Sequence, residues 1–178
     1  MEKRIKDLTE RRTAALAMGG AEKIKRHHQR GKLTARERVE LLLDPGTFQE
    51  YGLLASHHGQ KPGEPITPAD ALVAGLGQIH GRPVCLFAED ATLFGGSLGD
   101  VNFTKRKRMV DLASREKIPL ICLLDGAGFR AQSMLDAVEG SPSIGHTLAF
   151  ARQSGSAPTI GMIMGACAGE PALNAALL

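Results

Sequence analysis

The stretch IPLICLLDGAGFR (118–130) limits the possible folds most, because Leu120 to Leu124 are apolar at every position. A strand with one wet face alternates polar and apolar residues, whereas an unbroken apolar run belongs in a sheet covered on both faces. Earlier, DALVAGLGQIHGRPVCLFAED (70–90) reads as two β segments joined by a turn at His80-Gly81, and later PTIGMIMG (158–165) is a further apolar run. Between these segments the period changes. FGGSLGDVNFTKRKRMVDLASREK (94–117) passes from a glycine-rich turn into a helix of about four turns, and SIGHTLAFARQSG (143–155) is amphipathic. The final ACAGEPALNAALL (166–178) is helical in pattern. Strand and helix in alternation predict a layered α/β domain.

The N-terminal part differs. Residues 2–30 read as charged helix with intermittent apolar positions (Ile5, Leu8, Ala15, Leu16, Ile24), broken at Gly19-Gly20, an arm lying on something else. TARERVELLLDPG (34–46) is a second helix: Thr34 and Glu37 form a capping box, and Asp44-Pro45-Gly46 stops it. The expected division is a helical arm over 1–30 and an α/β domain over 31–178, with a looser proline-containing stretch at 56–68. The helical pattern runs to Leu178 with no terminating cap, so the domain is expected to be shortened at its C-terminus. No internal repeat is visible.

Composition excludes several functions. Aromatic residues make up 4% of the 178, with no Trp, which argues against stacking platforms for nucleic acid. Cys85, Cys122 and Cys167 are widely spaced in apolar surroundings and read as reduced thiols rather than a metal or disulfide framework. No signal-like N-terminus and no apolar run near ~18 residues is present, so a cytoplasmic protein with no membrane span is expected. Net charge is only +3, but KIKRHHQRGK (23–32) and KRKR (105–108) are basic runs. They read as solvated faces, or alternatively as contacts for a phosphorylated ligand.

In an α/β sheet, ligands bind beyond the carboxyl ends of strands, where loops present unpaired N–H groups. Two strands run into small residues: one into Gly126, Ala127, Gly128 and then Phe129, the other into Ala166, Cys167, Ala168, Gly169 and then Glu170. If these ends are neighbours, two peptide N–H groups converge on one oxygen as an oxyanion hole, each worth about 2.7–4 kcal/mol. The competing reading is tight turns and close helix packing. Gly126, Gly128 and Ala131 also fit the GxGxxA dinucleotide pattern, but no acid-terminated strand follows at the required distance. Ser97, Ser133 and Ser141 lack a nucleophile-elbow context, His80 lies in a turn, and His146 reads as a surface or satisfied histidine. Backbone donors without acid–base side chains suit a reaction whose barrier is charge on a thioester oxygen.

Four segments in order, GKLTARERVELLLDPGTFQEYG (31–52), FGGSLGDVN (94–102), IPLICLLDGAGFRAQ (118–132) and SGSAPTIGMIMGACAG (154–169), resemble the carboxyltransferase β subunits of biotin-dependent acyl-CoA carboxylases of the propionyl-CoA and acetyl-CoA type. The likeness runs from about residue 10 to the end. It implies a crotonase-like fold, the N-terminal half of such a subunit, with acyl-CoA on this half and carboxybiotin entering from the C-terminal half of a partner subunit. It also implies a biotin carboxylase and biotin carrier as partners, and the unmatched apolar helix faces of an isolated half predict a homo-oligomer. The family's first oxyanion loop falls on Asp125 to Arg130 and its second on Ala168 to Glu170. The backbone N–H groups of Gly128, Phe129, Gly169 and Glu170 are thereby implied as the hole. Gly95, Gly96, Ser97, Gly126, Ala127, Arg130, Ala168, Lys32 and Arg36 are implied around acyl-CoA, with Arg130 either bracing the loop or touching ligand. The basic arm residues Lys23, Lys25, Arg26, Arg30 and Lys32 are the natural place for CoA phosphates, with a solvated face as the competing reading.

Both loops depart from the family pattern. Phe129 stands for Ala, RAQSM (130–134) for RIQEG, and Glu170 for the second Gly of AGG, followed by Pro171. A carboxylate beside a developing enolate oxygen is expected to oppose it. The alternatives that follow are a catalytically silent structural subunit, with Phe129 and Glu170 closing the hole, or a biotin-dependent decarboxylase.

Overall fold

The computed structural model describes residues 1–56, 68–130 and 142–178. The arm is two helices, α1 (Glu2–Leu16) and α2 (Ala21–Gln29), parted at the predicted glycines, with Gly19 N–H donating to Thr92 Oγ1 at 3.1 Å. Helix α3 (Ala35–Leu42) starts on the predicted capping box: Thr34 Oγ1 accepts the Glu37 N–H and Glu37 Oε2 accepts the Thr34 N–H. A short β1 (Gln49–Glu50) follows.

Strands β2 (Leu72–Ile79) and β3 (Arg82–Glu89) form the expected hairpin. Its turn residues His80 and Gly81 both have positive φ, 51° and 73°, as a two-residue hairpin loop of matching twist requires. Both turn amides donate to the Asp44 carboxylate; the Gly81 and His80 N–H groups hold that carboxyl below its ordinary value. Helix α4 (Asp100–Glu116) leads into β4 (Leu120–Gly126), α5 (Pro142–Gln153) into β5 (Thr159–Cys167), and α6 (Glu170–Ala175) comes last.

The strands lie side by side in chain order, antiparallel from β1 to β3 and parallel from β3 to β5. Alternate residues of β3 and β4 feed two cores, which explains the unbroken apolar run. Leu120, Cys122 and Leu124 pack with Phe87, Met109, Val110 and Phe150 under α4 and α5. Ile121 and Leu123 pack with Leu86, Val39 and Leu43 on the α3 side.

Three expectations need correction. Lys105 and Arg106 of KRKR are buried rather than solvated. Arg106 pairs with Glu89, also fully buried, while Lys105 Nζ donates to the carbonyls of Ala69 (2.9 Å) and Leu72. His27, within the basic run 23–32, is buried as well. Strand β5, unlike β4, is largely exposed, with Ile163 at 63%. Cys85 and Cys122 are buried and Cys167 half-buried, all free; burial pushes the Cys85 thiol up to about 12. Among the described residues no helix is long and apolar enough to cross a membrane. Residues 57–67 of the looser stretch, and the departing positions after Arg130 with Ser133 and Ser141, lie outside the described residues.

Candidate active site

Because β4 and β5 are parallel neighbours, with Gly126 opposite Cys167, their carboxyl ends emerge together. The two small-residue corners touch backbone to backbone. A Cβ at Gly128 (φ 93°) would lie 3.0 Å from the Ala168 carbonyl oxygen, and one at Gly169 (φ 63°) 3.8 Å from the Gly128 Cα. Any larger residue at Gly128 would therefore wedge the corners apart as well as strain its own backbone.

A third segment, 94–98, lies along the first corner as a short parallel ladder. Ala127 N–H donates to Gly95 O (2.9 Å), Leu98 N–H to Gly128 O (2.8 Å) and Arg130 N–H to Leu98 O (2.8 Å). In a parallel bridge of this form the paired residue, Phe129, turns its own N–H to the opposite side. Gly96 (φ 68°) and Gly126 are in direct backbone contact: a Cβ on Gly96 would meet Asp125 O at 2.5 Å, one on Gly126 would meet Gly96 O at 2.6 Å. At the second corner Glu170 is the first residue of α6, so its N–H has no intrahelical acceptor. Pro171 sits in the same first turn, where a missing N–H takes nothing from the helix.

Charged side chains lie beneath and beside these corners. Asp125, almost wholly buried, accepts from Arg38 Nη2 (2.8 Å) and Lys32 Nζ (3.1 Å). Burial raises its carboxyl, but Arg38 and Lys32 outweigh that and hold it below the ordinary value. Gly165 of β5 must be glycine, since its Cβ would fall 1.9 Å from Asp125 Oδ1. Glu89 takes the Asp125 N–H and the Arg106 guanidinium at 2.5 Å each.

Arg130 is a brace. Its Nη1 donates to Asp70 Oδ1 (2.7 Å), Nη2 to Ser97 O (3.0 Å) and Nε to Ser97 Oγ (3.3 Å), and the guanidinium lies over the Phe94 ring at 4.7 Å. Asp70 stands in a run of left-handed non-glycine residues, Ala69, Asp70 and Ala71 at φ 54°, 48° and 57°. Such backbone costs about 1–2 kcal/mol per residue.

Phe129 and Glu170, the two residues expected to close the hole, meet in one cluster. The Phe129 ring tilts onto Phe103 (centroids 5.3 Å), Phe103 meets His146 (5.7 Å), and His146 Nδ1 lies 3.1 Å from Glu170 Oε1. Thr147 Oγ1 donates to the same oxygen at 3.1 Å. His146 is fully buried; burial pushes its imidazole below the ordinary value, with Glu170 pulling the other way. Both new side chains are thus engaged by α4 and α5.

Of the residues singled out in the sequence, the corners and Gly95, Gly96 and Ser97 come together. Lys32 joins them through Asp125 and remains one-third exposed. Arg36 does not: its terminal nitrogens lie on Glu50 at 2.7 and 3.0 Å. Lys23, Lys25, Arg26 and Arg30 are exposed. Sequence reasoning missed Asp70, Glu89, Asn102 and Arg38; the one available signal was Glu89-Asp90, a pair of acids set directly after the apolar LFA of β3.

Residues 26–177 match the carboxyl transferase domain family. The propionyl-CoA carboxylase carboxyltransferase subunit of Haloferax mediterranei is 41% identical over 182 residues, covering 99% of this chain and 34% of that protein. Among solved structures, a transcarboxylase 12S hexamer with methylmalonyl-coenzyme A bound superposes with a TM-score of 0.91 at 36% identity, over 99% of this chain and 34% of the other. A Pseudomonas malonate decarboxylase hetero-tetramer in complex with malonate gives 0.67 at 27% identity, over 82% of this chain and 56% of that one. The architecture is the crotonase-like α/β fold of carboxyltransferases, and the chain spans about a third (34%) of the length of the first of these relatives. By family, the chain belongs to the carboxyl transferase domain proteins.

Proposed function

We propose that this chain is the acyl-CoA-binding portion of a biotin-dependent carboxyltransferase acting on a short acyl-CoA, propionyl-CoA before acetyl-CoA. The observation that carries the reading is the backbone contact between the 125–130 and 168–170 corners, each turned by a left-handed glycine. The Phe129 and Glu170 N–H groups donate to the thioester oxygen and hold the negative charge that develops there when the α-proton leaves. Carboxybiotin, when bound, supplies the carboxyl group and the base. Arg130 and Ser97 keep the first corner in place, and the arm (1–30) lends exposed bases for CoA phosphates to the acyl-CoA unit (31–178). A biotin carboxylase and biotin carrier, and further copies of the chain, complete the assembly.

The silent-subunit reading has the two departures in its favour, but Phe129 packs on Phe103 and Glu170 bonds to His146 and Thr147, so neither side chain is free to plug the hole. The decarboxylase reading is favoured by the malonate decarboxylase likeness. The test uses the full-length chain with its biotin-bearing partner, labelled bicarbonate and ATP. Label entering propionyl-CoA supports the carboxylase. Acyl-CoA binding with CO2 release from methylmalonyl-CoA, but no labelled product, identifies the decarboxylase; absence of acyl-CoA binding identifies the silent subunit.

A further inference from the structure

Asp70 belongs to neither corner, yet the supports of the site are tied to it. It is fully buried, and its two oxygens serve different elements: Oδ1 accepts Arg130 Nη1 and Oδ2 accepts the Asn102 N–H, each at 2.7 Å. Gly99, the N-cap of α4, has no side chain to satisfy that amide, so the capping oxygen comes from another segment. A Cβ on Gly99 would lie 2.7 Å from both Arg130 Nη1 and Asp70 Oδ2. The carboxylate fills the gap between the helix start and the guanidinium.

The backbone that delivers it is the left-handed run 69–71, and it is gripped at successive carbonyls. Lys105 Nζ holds Ala69 O and Leu72 O, Asn102 Nδ2 holds Asp70 O (2.9 Å), and the Asp90 N–H holds Ala71 O (2.9 Å). Unfavourable backbone persists where its surroundings over-determine it, and it concentrates at functional sites. From Asp70 the constraint passes to Arg130, from Arg130 to both oxygens of Ser97, and from the 97–98 segment to Gly128 and Arg130.

The geometry points to Asp70 as a positioning residue for the thioester site, one that sets the spacing of the 94–98 segment against the first corner and thereby aims the Phe129 N–H. The inference rests on reading the corners as oxyanion donors; Asp70 itself touches no substrate. A purely structural carboxylate would govern stability alone. A positioning one lowers turnover out of proportion to stability, because a misaligned donor is felt most in the transition state.

The experiment compares Asp70→Asn with wild type in the full-length chain and its partner. The amide keeps the shape and an acceptor for the Asn102 N–H but removes the charge facing Arg130. The expected fall in kcat is about 10- to 100-fold, with KM for propionyl-CoA moving less than about threefold. Adding Arg130→Gln to Asp70→Asn costs less than Arg130→Gln costs in the wild type, since the two changes share the Asp70–Arg130 tie. Val39→Ala, in the core on the opposite face of the sheet, is the control that lowers the melting temperature without this loss. Amide hydrogen exchange over 95–98 and 127–130 gives a second readout, about tenfold faster in Asp70→Asn than in Val39→Ala. Should Asp70→Asn not fold, Arg130→Gln replaces it with the same two readouts. Unchanged kcat in the variant of an active wild type overturns the positioning role and spares the corners. A wild type that transfers no carboxyl group sinks the reading of the site instead, and exchange then decides: acceleration at the two segments supports the role of Asp70, equality with Val39→Ala overturns it.

Discussion

Gly128 is the position on which the site turns, since its φ of 93° and the Ala168 carbonyl 3.0 Å from a would-be Cβ forbid a side chain twice over. Gly128→Ala is expected to cost about 1–3 kcal/mol of stability, read by thermal unfolding, and about 100-fold in kcat as a donor moves off line, read by propionyl-CoA carboxylation. Asp125 contributes a pH dependence to the fold. Its carboxyl is held below its ordinary value of 3.8, so the stability from its pairing is complete above that value and is lost as pH falls through the lowered one. Denaturant unfolding between about pH 5 and 2 is expected to be steeper in pH for the wild type than for Asp125→Asn; equal slopes would contradict this. The corner glycines were legible because few residues can make such turns. The burial of Lys105 and Arg106 was not, because their partners Glu89, Ala69 and Leu72 lie on other elements and a charged run carries no mark of them.

Local signals located most elements well. The Thr34–Glu37 box, the His80-Gly81 turn and the Leu120–Leu124 run each encode their structure within a few residues, and each element formed where expected. Thr34→Ala is accordingly predicted to lower stability by about 1 kcal/mol in a denaturant titration. The contact between α5 and α6 had no such signature, because His146 and Glu170 are joined only once β5 has brought α6 back against α5. Glu170→Gly strips a partner from both His146 and Thr147, and a loss of about 1–3 kcal/mol on thermal unfolding is expected. No change in melting temperature would mean that the carboxylate is not held there.

Taken as one molecule, the chain has a sheet that is covered in its middle and open at its β5 edge. Strands β2 to β4 are covered, while β5 leaves Ile160, Ile163 and Met164 exposed, with Leu173 beyond it. Exposed apolar side chains on an edge strand promote association, so Ile163→Lys is expected to reduce self-association in light scattering without lowering the melting temperature. If the arm's exposed bases hold CoA phosphates, acyl-CoA affinity falls with salt over the range where charges are screened; calorimetric titration in rising salt reads this, and salt-independent binding removes the arm from the account. The central claim is that amides from both corners meet on one thioester oxygen. A crystal structure of the full-length chain with propionyl-CoA tests it directly: the account predicts the thioester oxygen within about 2.7–3.1 Å of both the Phe129 and Glu170 nitrogens, and a thioester seated away from either corner would contradict it.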